Sequence, residues 1–356
     1  SKVTAHIYDL KNTSTIDIKL GEFEYIPRIN WSTTQNTLVL QTLNRHQNHL
    51  TYYKVEVNAT NLWEAKVFHE EQAETYINID DNLSFFKDGK AILRTSEMDG
   101  YNHIYKVELN GKATQLTKGA WDVIDLNGLN NDNSALFFTA AKAGAIHQGI
   151  YKLDIRKNKL VALSKEEHKN TANFTADKKF FIKTSSSANT PHVVSLCDDS
   201  GKELQVLSNN ESLKSRIKDY QFATKRFTKI ELEGRTLNAW MILPYNFDST
   251  KQYPVYMNVY GGPGSNMVYD GWDNNIGFHQ LLAQEGYIVL AVDPRGTQFN
   301  GEKFKKSTYL NLGKLETEDF VDVAKHIGKW SFVNADRIGI QGWSYGGFMA
   351  ANCMTK

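Results

Sequence analysis

Cysteine is almost missing from this chain: Cys197 and Cys353 are the only two among 356 residues. Two such distant thiols cannot build a disulfide framework, and both are expected to be buried. Proline is scarce as well, at six residues. There is no excess of either charge, since 41 basic side chains face 40 acidic ones for a net charge of +1. A near-neutral balance gives no long-range field toward nucleic acid or an anionic membrane, so neither is expected as a partner. No apolar run approaches the roughly 18–20 residues that cross a bilayer, and the first residues, Ser1 to His6, do not form a signal peptide. The ten histidines include no H-E-x-x-H and no paired-cysteine spacing, so no metal site is expected. Gly261-Gly262-Pro263-Gly264 lacks the Gly-Lys-Ser/Thr ending of a phosphate loop.

Aromatic residues, by contrast, reach 12%, which suits a region rich in strands. The length also allows two domains. From residue 1 to about 215 a weak repeat recurs, each unit an aromatic and aliphatic run followed by a polar turn. Its markers Tyr8, Tyr53, Tyr105, Tyr151 and Val193 are separated by 45, 52, 46 and 42 residues. This period matches a four-stranded propeller blade, although short alternating strands at this spacing also fit a sandwich. Four to five units are counted, enough for a small ring or part of a larger one. The domains are expected to divide near residue 220, with a partial β-propeller over 1–220 and a second domain, of α/β type, over 221–356.

Past Phe227 the pattern changes. Residues 229–235 and 237–244 predict a hairpin turning at Gly234. The apolar runs 254–260 and 288–292 predict central strands of a parallel sheet covered on both faces. A helix is expected over 278–285, closed by Gly286. Phe320, Val323, Ala324 and Ile327 fall at helical spacing behind Glu316, Glu318 and Asp319, acids that the helix dipole favours in a first turn. The strand 337–341 then leads into Gly342-Trp343-Ser344-Tyr345-Gly346-Gly347.

That last run fits the G-x-S-x-G nucleophile elbow, which needs a strand before it and a helix after it. Ser344 is therefore the candidate nucleophile. The Tyr345 amide is the candidate backbone donor to an oxyanion, and Tyr260, at the end of an earlier strand, carries a phenol able to supply a second donor. In this fold the acid and the histidine follow the serine, yet no Asp, Glu or His occurs from Tyr345 to Lys356. His279 and His326 precede the serine. The pairs Glu70-Glu71 and Glu166-Glu167 are expected to be solvated loop carboxylates.

Tyr260-Gly261-Gly262-Pro263-Gly264, Asp293-Pro294-Arg295-Gly296, Leu312-Gly313, Glu318-Asp319 and the elbow, in this order and spacing, resemble the prolyl oligopeptidase family, dipeptidyl peptidase IV branch. The stretches 97–105 and 117–124 resemble that branch too. The resemblance implies an eight-bladed propeller followed by an α/β-hydrolase domain, here ending after the elbow. It implies a cofactor-free serine peptidase releasing Xaa-Pro or Xaa-Ala dipeptides from peptide N-termini. It also implies a homodimer in the full-length protein and a periplasmic or envelope location. By matching position, Ser344 is the nucleophile, Tyr260 the side-chain oxyanion donor, and Tyr345 the backbone donor whose ring lines the proline pocket. Asp293 and Arg295 are expected to form a structural ion pair. The acid, the histidine and an amine-gripping Glu pair are expected outside the chain, so the chain alone is expected to be inactive. Two alternatives remain: an oligopeptidase or acylaminoacyl peptidase of the same family, and a noncatalytic propeller that binds partners.

Overall fold

The computed structural model describes every residue except Ser1, Lys2, Gln35, Asn61, Asp80 and Asn82. The start of the N-terminal segment considered above, Ser1 and Lys2, thus lies outside the described residues.

The repeat units are blade sheets. One sheet runs in chain order through Tyr25–Trp31, Thr37–Leu43, His49–Val57 and Trp63–Gln72. The next three run through Ser84–Phe85 to Ala113–Gln115, Val123–Leu129 to Lys159–Ala162, and Lys169–Phe174 to Glu203–Ser208. A two-stranded hairpin, Ala5–Asp9 with Ser14–Ile18, precedes them. Tyr53, Tyr105, Tyr151 and Val193 all fall on the third strand of their sheets. This inner strand is well covered: in the first blade Leu50, Tyr52 and Val55 have no solvent exposure. The recurring run therefore marks a strand flanked on both sides by others of its sheet.

The second kind of structure is a mixed five-stranded sheet. Its order is Lys225–Leu232, Arg235–Ile242, Ile288–Val292, Tyr253–Asn258 and Val333–Gln341. The first two strands form the expected hairpin, with Leu232 opposite Arg235 and Gly234 at φ 72°. Tyr253–Asn258 is parallel to both of its neighbours. Ile288–Val292 explains why a continuous apolar run is a strand here. Ile288, Leu290 and Val292 enter a core with Phe320, Val323 and Ile327, whereas Val289 and Ala291 enter another with Trp240 and Val268. Helices Ile276–Gln284, Leu315–Ile327 and Tyr345–Met354 and the short helix Glu302–Lys305 also belong to this region. Cys197 is buried and Cys353 half-buried, and both are free.

By packing, the chain resolves into two compact units. One comprises residues 1–119, 125–138 and 152–160, the other 120–124, 139–151 and 161–356.

The expected solvated character fails at Glu71. It lies within the strand Trp63–Gln72 rather than in a loop, and its carboxylate meets the Arg94 guanidinium at 2.6 Å. Arg94 is 1% exposed and stacks over the Tyr52 ring at 4.9 Å, so Glu71 is the counter-ion of a buried cation. Glu70 is half-exposed on the same strand, and Glu166 pairs loosely with Lys142 in a loop.

Candidate active site

Ser344 sits between the strand Val333–Gln341 and the helix Tyr345–Met354, at φ 55° and ψ −119°. A non-glycine residue at positive φ is strained, and the strain lifts this exposed side chain clear of the strand end. The turn closes through a hydrogen bond from the Gly346 amide to the Trp343 carbonyl, 2.9 Å. Gly346 has a steric reason to be glycine. A Cβ there would lie 2.3 Å from the Val259 carbonyl oxygen and 3.2 Å from the Tyr260 Cα. The elbow helix thus starts directly against the backbone that ends the strand Tyr253–Asn258, and this close approach brings Tyr260 beside the elbow.

The Tyr260 ring lies 6.2 Å from the Tyr345 ring, at 48° between planes. It also folds over Gly262, where a Cβ would meet Cε1 at 2.5 Å. The three residues singled out by sequence are therefore contiguous: Ser344 adjoins Tyr345 in the chain, and Tyr345 meets Tyr260 through its ring. The Tyr345 hydroxyl donates to Glu316 Oε1 at 2.7 Å. Burial first, then the Glu316 hydrogen bond and charge, push that phenol up from its ordinary range, so it remains a neutral donor.

Asp293 and Arg295 do not form the expected pair. The Asp293 carboxylate accepts from the Met267 amide at 2.7 Å and from the Val268 amide at 3.2 Å. Burial pushes its pKa up to about 7, against the opposite pull of those amides. Together with hydrogen bonds from Asn266 to the Gln298 carbonyl and from the Gly264 amide to the Gly296 carbonyl, it fastens the segment after Tyr260 to residues 293–298. Arg295 turns instead to Asp319, at 2.7 Å, and to Glu318, at 3.4 Å.

The earlier histidines stand elsewhere. His279 is buried against Trp240, 3.7 Å from Asp273, which also holds the buried Lys225 ammonium at 3.4 Å. His326 packs edge-on against Trp330. A groove of about 830 Å³ is lined by Arg235, Arg295, Lys325 and Phe348, but by none of Ser344, Tyr260 and Tyr345. Sequence reasoning missed the roles of Glu316 and Asp293. Their partners are amides and a phenol, groups that leave no pattern in a chain read residue by residue.

Residues 1–192 match the family described as dipeptidyl peptidase IV (DPP IV) N-terminal region, and residues 277–356 match the prolyl oligopeptidase family. Dipeptidyl peptidase 4 of Trichophyton equinum is 31% identical over 350 residues, which cover 95% of this chain and 44% of that protein. Dipeptidyl peptidase 4 of Trichophyton rubrum is 30% identical over 351 residues, with coverage of 95% and 44%. Among solved structures, dipeptidyl peptidase 4 of Porphyromonas gingivalis superposes with a TM-score of 0.91 at 35% identity, over 98% of this chain and 49% of that one. The chain spans about half the length of these relatives.

Proposed function

The chain belongs to the dipeptidyl peptidase IV family, and from that premise we propose that the whole protein is a serine exopeptidase releasing Xaa-Pro or Xaa-Ala dipeptides from peptide N-termini. The observation that carries this is the strained, exposed Ser344 at a strand-to-helix apex with Tyr260 held against the same turn. Ser344 Oγ attacks the carbonyl carbon after the second residue of the peptide, and a histidine, which by the family order follows the serine, takes the hydroxyl proton. The tetrahedral oxyanion receives hydrogen bonds from the Tyr260 phenol and the Tyr345 amide. Collapse expels the shortened peptide as an amine, protonated by the histidine, and leaves the dipeptide as an ester on Ser344. Water then hydrolyses that ester.

In this proposal Ser344, Tyr260 and Tyr345 are the catalytic groups, and the Tyr345 ring also lines the pocket for the second side chain. A propeller over 1–220 and a hydrolase domain over 221–356 divide the labour between substrate access and chemistry. The full-length protein is a homodimer in the cell envelope or periplasm. No helix among the described residues is long and apolar enough to cross a membrane.

Cleavage of Gly-Pro and Ala-Pro reporter amides by the full-length protein tests the function. Ser344→Ala is expected to lower kcat by about 10⁴-fold or more. Cleavage of neither reporter, or cleavage that survives Ser344→Ala, would overturn it.

A further inference from the structure

One buried acid next to the elbow takes no part in the chemistry above. Glu316, in the first turn of the helix Leu315–Ile327, has no solvent exposure. A carboxylate in that position is costly unless its oxygens are matched by donors. Here they are divided between two. The Tyr345 hydroxyl donates to Oε1 at 2.7 Å, and the Gly313 amide donates to Oε2 at 3.0 Å. The positive end of the helix dipole adds to the stabilisation.

Tyr345 is the first residue of the elbow helix, so the carboxylate ties the tip of its side chain to a second helix. The ring is also flanked by Tyr260, at 6.2 Å, and by Phe348, at 5.5 Å and edge-on. These contacts fix a side chain whose own amide directly follows Ser344. The strained φ of Ser344 persists only where the surroundings over-determine it. Releasing the phenol would let the Tyr345 ring pivot, and the peptide plane between Ser344 and Tyr345 would turn with it.

We propose that Glu316 is a positioning residue of this site: by holding the Tyr345 hydroxyl it fixes the direction of the amide that meets the oxyanion and the ring face that meets the substrate. The inference rests on Ser344 as the nucleophile, and it extends the machinery to a residue that never touches substrate.

The test uses the full-length protein carrying Glu316→Gln, which preserves volume but offers one carbonyl oxygen to two donors. Two rates are followed, labelling of Ser344 by a fluorophosphonate probe and cleavage of a Gly-Pro reporter amide. Labelling is expected to slow about tenfold and kcat to fall by a similar factor, with KM changing less than about threefold, because the oxyanion contact strengthens in the transition state. A carboxylate of purely structural importance would lower Tm and leave both rates within about twofold of the unaltered protein, an outcome that overturns the proposal. Tyr345→Phe, which deletes only the hydroxyl, carries the same test should Glu316→Gln not fold. Labelling of the unaltered protein without reporter cleavage would refute the dipeptidyl specificity alone, and the slowed labelling of Glu316→Gln would still support positioning. Absence of labelling in the unaltered protein overturns the nucleophile and the positioning role together.

Discussion

Removing the Asp319 carboxylate should be among the most damaging single changes in the hydrolase region. Asp319 has no solvent exposure, and it receives Arg235 Nε at 2.6 Å, the Arg295 amide at 2.7 Å and Arg295 Nη2 at 2.7 Å. One side chain thus joins the hairpin strand Arg235–Ile242, the turn after Ile288–Val292 and the helix Leu315–Ile327. Deleting one partner of a buried ion pair costs about 3–5 kcal/mol, mostly from the charge left behind. Here both cations have a second partner, Asp322 for Arg235 and Glu318 for Arg295, and their side chains are 16% and 23% exposed. Water and these second acids absorb part of the loss, which places Asp319→Ala near about 3 kcal/mol. Arg235→Ala leaves Asp319 with Arg295 and should cost less, about 2 kcal/mol. The assay is urea unfolding of the full-length protein followed by tryptophan fluorescence, comparing midpoints at constant m. A cost for Asp319→Ala below about 1 kcal/mol, or below that of Arg235→Ala, would refute the reasoning. Glu316 and Asp319 stand three residues apart on one side of their helix, so the same deletion should also slow labelling of Ser344.

Two further predictions concern pH, with opposite signs. His69 is held at about 4, chiefly by burial and then by the Arg94 charge, below the ordinary histidine value of 6.5. The unfolded chain therefore binds the proton first, and stability present above pH 6.5 is lost as pH falls toward 4. The slope should stay below the ~1.4 kcal/mol per pH unit that the exchange of one full proton sets as its limit. His69→Gln should flatten this acid limb in pH-dependent denaturation, and an unchanged limb would refute the assignment. Asp293 acts the other way. Its folded value of about 7 exceeds the ordinary 3.8, so the folded state holds the proton longer, and the stability that this supplies is lost as pH rises through that window. Asp293→Asn keeps an acceptor for the Met267 and Val268 amides while removing the charge. It should raise the unfolding midpoint at pH 8 relative to the unaltered protein, and a fall there would show that the charged form is the one the amides require.

The chain's sequence announced some of this and concealed the rest for physical reasons. Blade period was legible because the third strand of each blade is covered by neighbours and so carries a concentrated apolar run around Tyr53, Tyr105 or Tyr151. The elbow was legible because its geometry is local: Gly346 must be small to pass the Val259 carbonyl, whatever the rest of the fold does. The acids were not. Glu316, Glu318 and Asp319 look alike in sequence as first-turn carboxylates favoured by a helix dipole, yet Glu316 and Asp319 are fully buried whereas Glu318 remains half-exposed. What separates them is which partner lies across from each, a phenol 29 residues later for Glu316 and a guanidinium 84 residues earlier for Asp319. Glu71 differs from Glu70 in the same way, because alternation along a strand turns one toward Arg94 and the other toward solvent. A local rule can state that a carboxylate is tolerated at a position, but the energy of a buried one is decided by distant donors. For that reason the nucleophile of this site was readable from a few consecutive residues, while the groups that hold its neighbour in place emerged only once the helix and the elbow were seen together.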